Sequence, residues 1–325
     1  MVDSISTRGI QLAVTRTLAG GQRQLTRLTQ QLATGRYSDN MSDYSPSNAQ
    51  NLLNFNNQIN LQRGYLDVIG AIAPRMEVYE LAMTGIESTV SSTMSTLVNY
   101  PIYNEAQNDA LRAELRNALS QIEYYLNQRI GERFVFAGAR FSTAPVADLN
   151  GLPILTISDT PTIVSPDEVP AYDVDFDPLN PGLLVPEANT NESVNIDATR
   201  SLTYGFNSNE EAFQQIIMGL RLALAATYDP ANYSDLMATA KDYLRDGLAN
   251  TRGLHAENAS NMATMARTQD MIQRKVANLQ TQVDNIEKVD IYEIGIKIVV
   301  LQAQLEASYS AVSSLINLTI LDYLR

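Results

Sequence analysis

The chain has 325 residues, of which 45% are apolar, and it carries a formal net charge of −13 with no cysteine. The absence of cysteine excludes disulfide bonds, thiol catalysis and thiolate zinc sites, and an acidic, lysine-poor chain is a poor binder of nucleic acid. The sequence contains no run of about 18 apolar residues, so it predicts no membrane span. Residues 1–34 lack the apolar segment of a Sec signal peptide. We therefore expect neither nucleic acid nor a membrane as a partner.

The first predicted element is an amphipathic helix that begins between residues 9 and 14 and ends at Thr34. Gly35 is placed to end this helix, and the turn-forming residues 37–47 predict a hinge or loop. Residues 1–13 lack the helical period, and we expect them to stay flexible until they are bound. The apolar positions recur every three or four residues; they are Val14, Leu18, Leu25, Leu28 and Leu32.

Two further helices follow the loop. The first is predicted to begin near Ser47, and Pro74 inside it is expected to kink it or split it in two. The second is predicted to begin at Asn104, which acts as the N-cap with Gln107 as its capping-box partner. Its apolar period continues to about Arg133.

The period changes at Phe134. From there to about Leu202 the chain contains eight of its twelve prolines and only short β-branched runs, which predicts a small β-rich domain inserted at residues 141–202. The insert is acidic, because residues 141–199 contain ten Asp and Glu and no Lys or Arg.

Residues 173–177 alternate three aspartates with Val and Phe, as at the start of a calcium loop. An EF-hand is excluded, because Pro178 and Leu184 stand where that loop requires Gly and Glu. We interpret the alternation as three carboxylates on the solvent face of a strand.

Helical periodicity returns after the insert. Ser208 begins a sequence typical of a capping box, and the helix that follows ends near Ala226. A very long helix is predicted from about Ser234 to Asn285. Residues 289–325 then predict a last helix, whose apolar positions keep a 3–4 spacing over four heptads. This row contains Ile291, Ile294, Ile298, Leu301, Leu305, Val312 and Leu315, and Ile316 belongs to a second row that widens it.

The two ends of the chain are predicted to pair. Residues 1–36 carry a net charge of +4 and residues 290–325 a net charge of −2. Each exposed ion pair contributes only about 0.3–0.5 kcal/mol, so the two apolar rows must supply most of the association. The apolar rows of such a terminal pair need further burial against other subunits. We therefore expect these rows to form a subunit-packing seam.

The predicted fold class is mainly α. We expect a long helical-bundle rod built from the N- and C-terminal halves, with coiled-coil-like paired termini and a small β-rich insert. The predicted domains are a terminal helical pair (1–46 with 286–325), a helical rod domain (47–140 with 203–285) and the acidic insert (141–202).

No catalytic, cofactor-binding or metal-binding residue is predicted. His255 is the single histidine; it lies in a polar helical stretch without a nucleophile elbow, and we interpret it as a residue of a surface helix. The chain contains no phosphate-binding loop and no dinucleotide fingerprint. An enzyme carried on the insert is therefore the least favoured interpretation.

Four stretches of the chain resemble the flagellin superfamily. Residues 30–36, with the loop and helix after them, are similar to the N-terminal block of that superfamily. Residues 131–138, followed by 143–146, are similar to the exit into the central domain of the hook-associated protein 3 family, whose members form the hook–filament junction. Residues 301–309 and 318–324 resemble the C-terminal helix and tail of the same family.

The resemblance implies a structural, non-enzymatic subunit of the bacterial flagellum. It implies export without a Sec signal peptide through the flagellar type III apparatus, with an export chaperone, and an extracellular location. The implied partners are other copies in a homo-oligomeric helical tube, another hook-associated protein on the hook side and flagellin on the filament side. Two alternatives stay open, a flagellin of the filament itself and a secreted helical-rod adaptor of a virulence-type export system.

Overall fold

A computed structural model describes residues 2–156, 170–176, 179 and 190–323, with the side chains of residue 9 and of residues 12–314 within these ranges. The helices are α1 (Val2–Thr34), α2 (Pro46–Val98), α3 (Glu105–Leu126), α4 (Glu211–Ala226), α5 (Tyr233–Glu287) and α6 (Ile291–Tyr323). Two short antiparallel hairpins lie between α3 and α4: β1 (Arg129–Ile130) with β2 (Arg133–Phe134), and β3 (Glu192–Asn195) with β4 (Ser201–Tyr204). The prediction of a mainly α fold with a small β region is confirmed.

The long helices follow the apolar periods closely, with two differences. α5 begins and ends within two residues of its predicted bounds. α1 begins at Val2, before its predicted start between residues 9 and 14, so residues 2–13 are helical. Their flexibility before binding stays a prediction. α2 continues through Pro74 as one helix. A split at Pro74, one of the two predicted effects, is wrong, because Ile72 and Met76 on either side are buried and their packing outweighs the local cost of the proline. The alternative, a kink at Pro74, stays a prediction.

Asn104 caps α3 as predicted, since its side-chain oxygen accepts a hydrogen bond from the amide of Ala106 at 3.1 Å. The predicted end of α3 at Arg133 is wrong. The helix ends at Leu126, because the side chain of Asn127 bonds both the amide and the carbonyl of Val146. These two bonds tie the end of α3 to Val146 at the start of the insert.

The predicted capping box at Ser208 is wrong. α4 begins three residues later, and its N-cap residue Glu210 makes no capping bond through its side chain. Ser208 is buried instead, and its carbonyl accepts a hydrogen bond from the hydroxyl of Tyr172 at 2.6 Å. This tertiary contact fixes a conformation that the local pattern does not indicate.

The carboxylates of the insert do not share a solvent face. Asp173 is buried and forms an ion pair with Arg140 at 2.6 Å, and Asp175 pairs with the same guanidinium. Residues 171–175 form turns rather than a strand, so the earlier interpretation is wrong for Asp173. Asp177 lies outside the described residues. Burial raises the pKa of Asp173, against the opposing effect of a backbone hydrogen bond and of Arg140.

The chain divides into two compact units, which we call unit 1 (Met1–Leu61 with Arg274–Arg325) and unit 2 (Gln62–Gln273). The core of unit 2 contains parts of α2 and α5 with α3, α4 and residues of the insert. Its centre is a set of edge-to-face ring contacts, in which Tyr79 packs against Phe136 and Phe206, and Phe136 packs against Phe213. The Tyr79 hydroxyl donates to the carbonyl of Val135 at 2.6 Å, and burial raises its pKa to about 12.

Unit 1 contains two smaller apolar clusters. One joins the start of α2 to the end of α5 through Tyr44, Leu52, Ile59, Leu279 and Val283. The other joins α1 to α6. The three-part domain division made from the sequence remains a prediction.

Candidate assembly surface

Backbone hydrogen bonds tie the end of α1 to the start of α6. Gly35 takes a φ of 69°, the left-handed conformation that ends α1, and its carbonyl accepts a bond from the amide of Val289 at 3.1 Å. The amide of Tyr37 donates to the carbonyl of Glu287 at 2.6 Å. Asp290 then caps α6, because its side chain accepts a bond from the amide of Tyr292 at 2.8 Å.

These bonds place α1 and α6 side by side. Leu28 of α1 and Ile294, Leu301 and Leu305 of α6 form a buried cluster. Leu18, Leu25 and Ile298 are partly buried against it. We call Ile294, Ile298, Leu301 and Leu305 the inner row of α6.

Gly21 lets the two helices approach each other. A Cβ built on Gly21 would lie 2.6 Å from Cδ2 of Leu305, closer than any real contact allows. A glycine at this position therefore makes room for the Leu305 side chain. The neighbouring Gly20 has nothing within 4 Å of the equivalent point.

Polar contacts add little to the pairing. The Gln22 amide donates to the hydroxyl of Tyr309 at 2.6 Å. No ion pair joins α1 to α6 among the described residues. The guanidinium of Arg27 instead stacks on the ring of Tyr37 at 5.0 Å. The opposite net charges of the two ends are therefore not joined in a direct contact among the described residues.

The structure does not bring every residue of the predicted seam together. Leu32 and Ile291 are exposed, and Val14 and Val312 are half-buried outside the cluster. Leu315 and Ile316 lie beyond the described side chains. Their part in subunit packing remains a prediction.

The sequence analysis missed a further apolar row on α6, separate from the two rows that it named. Tyr292, Ile296 and Val299 are 86%, 66% and 66% exposed, and their spacing of four and three residues places them on one face of the helix. We call these three residues the outer row. The signal was in the sequence, since residues 291–301 are apolar almost all round the helix, which is typical of a helix covered on more than one side.

None of the described groups of His, Asp or Glu is arranged to hold a metal ion. Within the part of the chain that the structure describes, no helix is long and apolar enough to cross a membrane.

The chain shares its fold with a solved structure that is described as a flagellar hook-associated protein. A protein assigned as a flagellar hook-associated protein of Vibrio parahaemolyticus matches it with a TM-score of 0.60 at 14% sequence identity, over 76% of this chain and 100% of that chain. FlgL of Bacillus cereus matches with a TM-score of 0.48 at 15% identity, over 72% of this chain and 100% of that chain. No protein-family model and no curated protein matches the chain. The resemblance found in the sequence is therefore confirmed at the level of the fold.

Proposed function

We propose that this chain is a structural, non-enzymatic subunit of the bacterial flagellum that forms the hook–filament junction. The observation that carries the proposal is the outer row of α6. The inner row is already used against α1, while Tyr292, Ile296 and Val299 remain largely exposed.

An exposed apolar row of this kind favours assembly. Burying one large apolar side chain contributes about 1.5–3 kcal/mol, so three such side chains contribute about 4.5–9 kcal/mol toward a contact between neighbouring subunits. A contact repeated head to tail, with a rotation that does not close, produces a helical tube. We infer that the outer row packs against neighbouring copies of the chain in such a tube.

The other partners follow from the proposed position. A junction subunit presents one surface to another hook-associated protein on the hook side and a different surface to flagellin on the filament side. The stretches at residues 131–138 and 318–324, which are similar to the junction family, support this position. The same proposal includes export without a Sec signal peptide, with the help of an export chaperone. It also includes an extracellular location.

Deletion of the gene tests the position in the flagellum. Loss of a junction subunit leaves hooks on the cell and releases unassembled flagellin into the medium, because the filament has nothing to grow on. We expect electron microscopy to show bare hooks, and immunoblots of the medium to show flagellin. A strain that carries the same gene on a plasmid is the control, and it should recover filaments.

The second candidate is a flagellin of the filament itself. It is favoured by residues 30–36, which are similar to a block that flagellins share. Deletion of a sole flagellin gives bare hooks without flagellin in the medium, so the same immunoblot separates the two functions. Normal filaments on the deletion strain would contradict both.

A further inference from the structure

The single histidine of the chain lies between two carboxylates of another helix, within unit 2. His255 is on α5, and its Nδ1 is 2.6 Å from Oε1 of Glu87 while its Nε2 is 2.7 Å from Oε1 of Glu80. Both glutamates are on α2, seven positions apart, which is about two helical turns. The imidazole is only 25% exposed. The sequence analysis placed His255 on a surface helix and named no partner for it, whereas the structure gives it two.

The geometry fixes the number of protons on the ring. An ionised carboxylate only accepts hydrogen bonds, and a neutral imidazole has one N–H. The two bonds can form together with ionised glutamates only when both ring nitrogens are protonated. The two nitrogens face different carboxylates on opposite sides of the ring, so the three groups cannot converge on one metal ion.

The surrounding groups hold the two carboxylates in place. Asn258 donates from Nδ2 to Oε2 of Glu80 at 3.2 Å and to the carbonyl of Met76 at 3.1 Å. Nε of Arg252 lies 3.6 Å from Oε2 of Glu87. Among the described residues, the ionisable groups of this cluster are Glu80 and Glu87 from α2 and His255 and Arg252 from α5. Its charges balance when the imidazole is protonated and leave a net −1 when it is not.

We propose that Glu80, His255 and Glu87 form a proton-operated clasp, which fastens α5 to α2 while the imidazole is charged and loosens when it loses a proton. The clasp would make the stability of unit 2 depend on the pH of the surroundings. It does not depend on the function proposed above.

The pH window follows from the two groups whose pKa values shift. The hydrogen bond to Glu80 raises the pKa of His255 above 6.5, and partial burial opposes this only in part. The stabilisation is therefore complete below pH 6.5 and is lost as the pH rises through the folded value. Partial burial raises the pKa of Glu80, but the hydrogen bonds from His255 and Asn258 outweigh it and lower the pKa below 4.5. The stabilisation is thus present above pH 4.5 and lost as the pH falls through that lower value.

An NMR titration of the full chain tests the clasp directly, because the imidazole signals come from one residue. We expect the wild type to titrate above 6.5, and both Glu80→Gln and Glu87→Gln to titrate at lower pH than the wild type. The matched control is Glu77→Gln, which removes an exposed charge from the same helix and should leave the titration unchanged. A wild-type value at or below 6.5, or equal values in all four proteins, would overturn the proposal.

A second measurement separates a clasp from a histidine that titrates without consequence. The midpoint of thermal unfolding of unit 2 should differ most between the wild type and His255→Gln at mildly acidic pH. The difference should shrink as the pH rises from about 5.5 to about 9, since a glutamine cannot titrate. A difference that stays constant over this range would contradict the clasp even if the NMR titration shifts.

Discussion

Unit 2 and the α1–α6 pair of unit 1 bury their apolar residues to different extents. The core of unit 2 contains rings and aliphatic side chains with no exposure at all, such as Phe213, Ile86 and Leu115. In the α1–α6 pair the most buried residues, among them Ile294 and Leu305, keep 6–9% exposure, and the outer row of α6 is left open. Unit 2 therefore has a core of its own, whereas two helices alone cannot surround their apolar side chains. The difference supports the proposal that neighbouring subunits cover the terminal pair.

The largest effect on stability is expected inside unit 2. Phe213→Ala removes a fully buried ring that packs edge to face on Phe136, and it should lower the free energy of unfolding by about 3–5 kcal/mol. Urea unfolding followed by circular dichroism measures it. A loss below about 1 kcal/mol, the typical value for a point substitution anywhere, would mean that unit 2 lacks the tightly packed core described above.

A charge in the inner row should disrupt the α1–α6 pair of unit 1 and leave unit 2 intact. Leu305→Asp places an unpaired carboxylate in the apolar cluster that includes Leu18, Leu25 and Leu28, at a cost of about 3 kcal/mol to the α1–α6 pairing. We expect the substitution to abolish incorporation into the flagellum while unit 2 stays folded. Proteolysis should cut the ends of the chain and leave a fragment close to residues 62–273. Normal assembly of this variant would show that the inner row is dispensable.

A substitution at Gly21 should have a smaller effect, and the neighbouring Gly20 provides a matched control. Gly21→Leu forces a side chain against Leu305, and we expect it to weaken the α1–α6 contact by about 1–3 kcal/mol. Gly20→Leu meets open space and should be neutral or slightly stabilising, because leucine favours a helix more than glycine does. Amide hydrogen exchange in residues 294–305 compares the two variants. Equal exchange in both would contradict the close approach at Gly21.

The sequence was sufficient to predict the bounds of a helix wherever its apolar period continued without interruption. α5 was predicted almost to the residue because its apolar positions repeat from Leu236 to Val283. The errors fell where tertiary contacts override local signals. Packing on either side of Pro74 keeps α2 continuous there. Asp173 is buried in an ion pair with Arg140 instead of facing the solvent.

The candidate surface was only half predicted, for a related reason. The inner row stood out because its spacing is regular and its partner row on α1 has the same spacing. The outer row lies on the opposite side of the same apolar helix. The sequence pattern alone does not determine which of the two faces packs against α1 within the same chain. His255 was missed because its partners, Glu80 and Glu87, are more than 160 positions away.

Among these substitutions, those in the outer row should have the smallest effect on the stability of the subunit and the largest effect on its assembly. Ile296→Asp and Val299→Asp change exposed side chains, so the free energy of unfolding of the subunit should move by less than about 0.5 kcal/mol. The matched control is Leu81→Asp in unit 2, since Leu81 is 64% exposed and Ile296 is 66% exposed.

Complementation of a deletion strain with these three variants, scored by electron microscopy of filaments and by flagellin in the medium, is the most direct measurement. The account predicts bare hooks and released flagellin for the two α6 variants, and normal filaments for Leu81→Asp. Normal filaments with Ile296→Asp and Val299→Asp would contradict the claim that the open face of α6 is covered by neighbouring subunits.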